Sequence, residues 1–192
     1  MVPRGEGIQA GPRIPDDSII PARLSLHSFL MSLTRHAAVI TISVSVAVGT
    51  RPDLSGAAAK EKLEKLGYEV VLTEVVPDEI NRIADRLKAI ADAHTIDLVV
   101  TTGGTGLGPR DVTPEATQAV IDKSVPGLAE LMRAESSRHT RFAFLSRALV
   151  GVRGETLIVN LPGSPKGVVE CFDAIQDLLP HALNLIHGKT KH

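Results

Sequence analysis

The chain has 192 residues, a length that fits one sizeable domain and is short for two. Hydrophobic residues make up 43% and charged residues 22%, a balance typical of a folded globular protein. The net charge of −1 and the aromatic content of 3% argue against a nucleic-acid partner, which needs a basic surface or a base-stacking platform. The single cysteine, Cys171, excludes an internal disulfide and fits a reducing, cytoplasmic location.

Residues 1–35 differ in composition from the rest of the chain. They carry four of the 12 prolines and show no regular hydrophobic period, so we expect a poorly ordered N-terminal extension followed by one domain over residues 36–192. The segment contains no uninterrupted apolar stretch with the length of a secretory signal. The apolar run that follows it is too short to cross a bilayer, and we therefore expect no membrane partner.

From residue 37 onward, segments with strand and helix patterns alternate. The predicted order is strand 37–44, helix 57–66, strand 68–76, helix 78–93, strand 97–102, helices from about 113 and 126, a hairpin of 149–152 with 156–160, and helices over 165–186. This alternation predicts an α/β fold with a mostly parallel central sheet, one antiparallel hairpin and helices on both faces. Ligands of such sheets bind beyond the carboxyl ends of the strands, where the loops 43–56, 76–79 and 102–113 are expected to meet.

The most informative of these loops is rich in glycine. It reads Gly103-Gly104-Thr105-Gly106-Leu107-Gly108-Pro109-Arg110-Asp111 and directly follows a predicted strand. Pro109 stands where a dinucleotide fingerprint needs glycine and where a P-loop needs lysine, so the loop is neither motif. A tight turn that needs glycine for steric reasons alone is the simpler explanation, but four glycines at the end of a strand favour an anion site.

Two carboxylates and several cations border the same loops. Asp111 could hold Mg²⁺ that bridges phosphates, or could be a solvated turn residue before a helix capped by Thr113. Asp78 follows a proline at a helix start and, taken alone, is expected to be an N-cap, as is Ser164 before Pro165. Arg110 and the pair Ser146-Arg147 could meet phosphate oxygens. The seven histidines are not spaced as metal ligands, and Cys171 is expected to be packed and inert.

Several segments, taken together, resemble one family. They are Asp53-Leu54-Ser55-Gly56, Val76-Pro77-Asp78, Thr101-Thr102-Gly103-Gly104-Thr105-Gly106, Arg110-Asp111-Val112-Thr113-Pro114-Glu115-Ala116, Pro126-Gly127, Leu145-Ser146-Arg147 and Leu161-Pro162-Gly163-Ser164-Pro165. In this order, from about residue 38 to the C-terminus, they are similar to the MogA/MoaB family of molybdenum cofactor biosynthesis proteins, which includes the G domain of gephyrin.

The resemblance implies a three-layer α/β/α domain that forms a homotrimer or a hexamer. It implies a molybdopterin adenylyltransferase, which takes molybdopterin and Mg-ATP to adenylyl-molybdopterin and pyrophosphate, with the molybdenum-inserting enzyme of the same pathway as a further partner. The catalytic and Mg²⁺-binding residues of the family match Asp78 and Asp111. The substrate-binding positions predicted for this chain are Thr102, Gly103, Gly104, Thr105, Gly106, Arg110, Ser146, Pro162, Gly163 and Ser164.

One position departs from the family pattern. The first strand of the family commonly ends in Ser-Asp, whereas this chain has Ser43-Val44 and so lacks a carboxylate in the first loop. The departure leaves open a non-catalytic, MoaB-like molybdopterin carrier or scaffold as the alternative. A generic nucleotide-dependent enzyme on the same scaffold is a third, weaker hypothesis, because fold alone does not fix function.

Overall fold

Six strands form one mixed sheet in the computed structural model, which describes residues 34–189. The strands are β1 (Arg35–Ile42), β2 (Tyr68–Val76), β3 (Leu98–Thr102), β4 (Lys123–Ser124), β5 (Val150–Arg153) and β6 (Thr156–Leu161). Their order across the sheet is β2-β1-β3-β6-β5-β4. The pairs among β2, β1, β3 and β6 are parallel, and the pairs of β5 with β6 and with β4 are antiparallel. The predicted mostly parallel sheet with one antiparallel hairpin is confirmed.

Seven α-helices and one 3-10 helix lie within the described residues. They are α1 (Val44–Ala47), α2 (Leu54–Lys65), α3 (Ile80–Asp92), α4 (Thr113–Gln118), α5 (Pro126–Ser136), the 3-10 helix (Arg141–Leu145), α6 (Pro165–Ile175) and α7 (Leu179–Ile186). None of these helices could span a bilayer. The predicted extension over residues 1–35 lies outside the described residues except for its last two, and Arg35 already belongs to β1.

The sheet separates two hydrophobic cores, because successive side chains of a strand point to opposite faces. Along β1, Ala37 and Val39 belong to one core, and Ala38 and Ile40 to the other. The first core receives apolar side chains from α2, α5, α6 and α7, and the second from α3 and α4. Helices therefore cover both faces, which confirms the three-layer α/β/α architecture.

Two predicted boundaries are wrong in the first βα connection. The predicted first strand included Val44, but β1 ends at Ile42 and Val44 begins α1. The Ser43 hydroxyl accepts the Val46 N–H at 3.3 Å and so stabilises a helical turn where apolarity suggested continued strand. The helix predicted from 57 begins at Leu54, because the Asp53 carboxylate accepts the Gly56 N–H at 2.8 Å as an N-cap.

The capping predictions have mixed outcomes. Ser164 caps α6 as predicted and accepts the Gly167 N–H at 3.1 Å. The cap predictions for Asp78 and Thr113 are wrong. Glu79 occupies the N-cap position of α3, which starts two residues later than predicted, and Val112 that of α4. Asp78 instead accepts the Val44 N–H from the first βα connection, and Thr113 donates to the Gly103 carbonyl at the start of its own loop, so contacts outside the helix override the capping preference.

The antiparallel half of the sheet contains one strand that the sequence pattern does not predict. β4 has only two exposed residues, Lys123 and Ser124, which pair with β5. Its length and polarity leave no period to detect. The hairpin of β5 with β6 is confirmed, and its turn uses Gly154 at φ +55°, a backbone conformation that favours glycine.

A buried asparagine on β6 links this strand to β3 and to α4. Asn160 on β6 is fully buried, and its Nδ2 donates to Thr101 Oγ1 at 2.9 Å and to Thr117 Oγ1 at 3.0 Å. The first partner lies on β3 and the second on α4. Asn160 therefore links β3, β6 and α4 close to the carboxyl ends of the two strands.

We predict that Asn160→Ala lowers the free energy of unfolding by about 2 kcal/mol, because it leaves buried hydroxyls without their donor. Urea denaturation measures the effect. Asn81→Ala, which changes the same residue type on the exposed face of α3, is the control and should shift stability by less than about 0.5 kcal/mol. Equal stability of the two variants would contradict the anchoring role of Asn160.

Candidate active site at the carboxyl edge of the sheet

Four loops meet at one edge of the sheet. The strands β2, β1, β3 and β6 are mutually parallel, so the segments that follow them all emerge at their carboxyl ends. The three loops predicted to converge there, 43–56, 76–79 and 102–113, follow β1, β2 and β3. Residues 162–164, which follow β6, supply the fourth loop.

The glycine loop begins with two left-handed residues. Gly103 has φ +95° and Gly104 has φ +65°. A Cβ atom at Gly103 would lie 2.5 Å from the carbonyl oxygen of Ile42, and one at Gly104 would lie 2.3 Å from Thr113 Oγ1. Thr113 donates to the Gly103 carbonyl at 2.8 Å. These positions therefore need glycine both for their backbone angles and for the close approach of neighbouring chain.

Asp78 and Asp111 line one cavity, which we call the carboxylate cavity. Its volume is about 380 Å³, and its lining is Ser43, Val44, Ser45, Arg51, Asp78, Gly108, Pro109, Arg110 and Asp111. Asp78 Oδ2 accepts the Val44 N–H at 2.6 Å, and Asp111 Oδ2 accepts the Gly108 N–H at 2.7 Å. Each carboxyl group is thus fixed through one oxygen by a backbone amide, while its other oxygen makes no hydrogen bond to residues 34–189.

A second cavity adjoins the first and is lined by the glycine loop. This glycine cavity has a volume of about 250 Å³ and is lined by Thr41, Ile42, Ser43, Val46, Arg51, Pro52, Asp53, Leu54, Ser55, Gly103, Gly104, Gly163 and Pro165. The Asp53 carboxylate is fixed by a residue of β1, because Thr41 Oγ1 donates to Asp53 Oδ2 at 2.6 Å. Ser43 and Arg51 line both cavities, so the two spaces are neighbours.

A third, more apolar cavity lies on the other side of the loop after β6. This apolar cavity has a volume of about 270 Å³ and is lined by Ala129, Met132, Arg133, Ser136, Thr140, Phe142, Ala143, Ser146, Ala148, Pro162, Ser164, Lys166, Gly167, Glu170 and Cys171. Burial raises the pKa of the Cys171 thiol, which keeps it protonated at neutral pH and unsuited to nucleophilic attack. The Pro162–Pro165 loop contributes alternate residues to this cavity and to the glycine cavity.

The predicted substrate-binding residues divide among these cavities. Gly103, Gly104 and Gly163 line the glycine cavity, and Arg110 lines the carboxylate cavity. Ser146, Pro162 and Ser164 line the apolar cavity.

Three of the predicted residues are not among those that line the cavities described above. Thr102 and Thr105 are buried, and Thr102 Oγ1 lies 3.0 Å from Ser55 Oγ. Gly106 packs on the Asp111 carboxylate, where a Cβ atom would lie 2.8 Å from Oδ2. The binding roles of all these residues stay predictions.

Arg147 holds the glycine loop in place. Its Nε donates to the Gly106 carbonyl at 2.7 Å, and its terminal nitrogens donate to the Asp111 carbonyl and to the Glu115 carboxylate. The hydrogen bond from Arg147 lowers the pKa of Glu115, so the pair is ionised at neutral pH. Three of the five N–H donors of the guanidinium are therefore used within the protein, and the suggestion that Arg147 meets phosphate oxygens stays a prediction.

Ser43 and Arg51 were not singled out from the sequence. Each lies in the first βα loop, and each lines two cavities at the functional edge. An arginine in a loop that follows a buried strand is the pattern that would have identified Arg51. Nothing in the sequence distinguishes Ser43 from an ordinary helix cap.

The carboxylate cavity suits a magnesium ion that also binds phosphate. Mg²⁺ is typically held by one or two carboxylates, while phosphate oxygens and water complete its octahedron. Asp78 and Asp111 offer two such carboxylates on one cavity. Within residues 34–189 no group of three or more His, Cys, Asp and Glu side chains could hold a metal ion by itself. The donor set therefore fits an ion that arrives with a phosphorylated substrate.

Comparison with known proteins identifies relatives along most of the chain. The family described as "probable molybdopterin binding domain" matches residues 38–181. The molybdopterin adenylyltransferase of Helicobacter pylori is 43% identical over 157 residues, which cover 81% of this chain and 89% of that protein. The molybdenum cofactor synthesis protein cinnamon of Drosophila melanogaster is 44% identical over 149 residues, but this chain spans only 25% of its length.

A solved structure agrees with both sequence comparisons. The molybdopterin biosynthesis enzyme MoaB from Thermus thermophilus superposes with a TM-score of 0.76 and is 48% identical, covering 81% of this chain and 98% of that one. The matched family spans both carboxylates, the glycine loop and the loop after β6. The chain therefore belongs to the MogA/MoaB family of molybdopterin-binding domains in molybdenum cofactor biosynthesis.

Proposed function

We propose that this protein is a molybdopterin adenylyltransferase that uses Mg-ATP. The observation that carries the proposal is the pair Asp78 and Asp111, which line one cavity and are each fixed by a backbone N–H. The 43% identity with the Helicobacter pylori enzyme supports the same activity.

The adjoining cavities suggest where each substrate lies. The triphosphate of ATP occupies the carboxylate cavity, where Asp78 and Asp111 hold Mg²⁺ and Arg110 adds a positive charge. The pterin ring of molybdopterin occupies the apolar cavity beside Phe142 and Pro162, because that cavity offers flat apolar contact with a few polar groups. The phosphate of molybdopterin then reaches past Gly163 toward the glycine cavity, which adjoins the carboxylate cavity.

The residues present suit this reaction because it needs no strong base. An oxygen of the molybdopterin phosphate, already an anion at neutral pH, forms a bond to the α-phosphorus of ATP. The bond from the α-phosphorus to the bridging oxygen breaks, and its electron pair leaves with pyrophosphate. No proton has to move, so catalysis rests on positioning and on neutralising charge. Bound Mg²⁺ supplies that neutralisation along the triphosphate.

The proposal includes assembly and location. Phe142 and Phe144 of the 3-10 helix are 79% and 62% exposed, an apolar surface that supports association into a homotrimer or a hexamer. The protein acts in the cytoplasm, and the enzyme that inserts molybdenum takes over its product.

The direct test is to incubate the protein with molybdopterin, MgCl₂ and ATP, and to measure pyrophosphate and adenylyl-molybdopterin. We expect turnover, and we expect Asp111→Asn to lower kcat at least about 100-fold, because it removes a charge from the metal-binding pair. Asp85→Asn, on the exposed face of α3, is the matched control and should retain full activity. Absence of product from the parent protein, or full activity of Asp111→Asn, would contradict the proposal.

The hydrogen bonds from Arg147 to the glycine loop allow a test of whether the position of this loop limits the reaction. Arg147→Lys keeps the charge but loses the donors to the Gly106 and Asp111 carbonyls, so we expect kcat to fall about tenfold. Arg153→Lys is the control, since Arg153 makes a similar ion pair with Asp92 at the opposite edge of the sheet. Steady-state kinetics should separate the two variants, and equal kcat values would show that loop placement does not limit the reaction.

Val44 favours a second candidate function, a non-catalytic molybdopterin carrier or scaffold. Val44 is one of the residues that line the carboxylate cavity, and the family commonly has Asp at this position, so this cavity has one negative charge fewer for binding metal. A carrier would bind molybdopterin but would not turn over ATP. Calorimetry with each ligand separately distinguishes the two functions.

We predict that Val44→Asp tightens Mg²⁺ binding in the presence of ATP by about three- to tenfold, because the new carboxylate borders the same cavity. The backbone N–H of Val44, which binds Asp78, is retained in this variant. Titration of Mg²⁺ against ATP-dependent turnover, or against ATP binding, gives the measurement. An unchanged Mg²⁺ dependence would show that the residue at position 44 does not reach the metal.

A further inference from the structure

Arg51 occupies the boundary between the two polar cavities. Arg51 lies in the loop between α1 and α2, is exposed, and is one of the residues that line both the carboxylate cavity and the glycine cavity. Its backbone N–H donates to the Ser45 carbonyl at 3.2 Å, which fixes the root of the side chain. Its guanidinium makes no hydrogen bond or ion pair with any residue in the range 34–189. The group is therefore available to a ligand.

Among residues 34–189, Ser43 is the one other residue that lines both cavities, and its hydroxyl already makes hydrogen bonds. Ser43 caps α1 through its hydroxyl, which accepts the Val46 N–H and lies 3.0 Å from Ser45 Oγ. Arg51 is therefore better placed than Ser43 to contact ligands in both cavities.

The other two arginines near this edge, Arg110 and Arg147, do not line both cavities. Arg110 lines the carboxylate cavity but not the glycine cavity. Arg147 is committed to two loop carbonyls and to Glu115. Meanwhile Asp78 and Asp111 bring negative charge to one side of the boundary and Asp53 to the other. Among the described residues, Arg51 is therefore the one cation that lines both cavities.

We propose that Arg51 is a catalytic residue that contacts the α-phosphate of ATP during adenylyl transfer. The inference rests on the proposed adenylyl transfer, in which the phosphate nucleophile approaches from the glycine cavity and the α-phosphorus of ATP lies at the edge of the carboxylate cavity. The Arg51 guanidinium donates two parallel hydrogen bonds to non-bridging oxygens of the α-phosphorus. In the transition state the equatorial oxygens of the α-phosphorus carry negative charge and further charge develops on the leaving oxygen, so the contact strengthens there.

The test compares Arg51→Ala and Arg51→Lys with the parent protein in the pyrophosphate assay. We expect Arg51→Ala to lower kcat about 100- to 1000-fold while KM for ATP changes less than about threefold, because the contact acts mainly in the transition state. Arg51→Lys, which keeps the charge but not the planar pair of donors, should recover only part of kcat. Guanidinium chloride at low millimolar concentration should raise the rate of Arg51→Ala but not that of Asp111→Asn.

Arg82→Ala is the matched control, since Arg82 is exposed on α3, has Glu79 at 3.7 Å as its one ion-pair partner among the described residues, and lines none of the three cavities. Both alanine variants should unfold at the temperature of the parent protein, because neither loses a strong partner. A kcat for Arg51→Ala within threefold of the parent, or an increase in KM alone, would overturn the role of Arg51 and leave the proposed function standing. An inactive parent protein would instead overturn both.

Discussion

The candidate site depends on two hydrogen bonds in which backbone N–H groups fix the two carboxylates of the carboxylate cavity. Asp78 is bound by the N–H of Val44, and Asp111 by the N–H of Gly108. The first bond joins the loop after β2 to the loop after β1, and the second closes the glycine loop on itself. A carboxylate fixed through one oxygen presents the other in a defined direction, which a flexible surface aspartate does not do. The proposed binding of metal and triphosphate rests on this preorganisation.

The parallel sheet provides the frame for these bonds. Parallel neighbours bring four loops to one edge, and buried polar contacts lock the strand ends beneath them. Thr41 binds Asp53 across the first connection, and Ser55 lies 3.0 Å from Thr102 at the end of β3. The resulting edge combines the backbone of Gly103 and Gly104 with carboxylates and with Arg51, whose guanidinium has no ion-pair partner within the described part of the chain. Such an edge is suited to phosphate chemistry, in which charge must be balanced and no base is needed.

The sequence predicts the architecture well because its pattern is local. Buried parallel strands read as apolar β-branched runs, and glycine marks the turn after β3, so the sheet, its hairpin and three of the converging loops are recovered. Errors fall where one particular side-chain hydrogen bond outweighs the general pattern of the segment. Asp78 looks like a helix cap within its own segment, but an amide 34 residues away binds it. Val44 looks like strand, but the Ser43 cap turns the chain.

The division of the site among cavities is also a tertiary property. The sequence motifs name Ser146 and the glycine loop together as substrate-binding positions, and in the structure Ser146 lines the apolar cavity whereas Gly103 and Gly104 line the glycine cavity. Arg147 reads as a free cation next to Ser146, yet three partners from two other segments occupy it. Arg51 shows the reverse: it belongs to no motif, and only the fold places it between two cavities.

The most direct test is a crystal structure of the protein with molybdopterin, Mg²⁺ and the non-hydrolysable analogue α,β-methylene-ATP. The account predicts one Mg²⁺ about 2.1 Å from an oxygen of Asp78 or Asp111, with the second carboxylate bound to it directly or through water. It also predicts the α-phosphorus at the boundary that Ser43 and Arg51 line. Nucleotide bound elsewhere, or triphosphate in this cavity with neither aspartate near its metal, would contradict it.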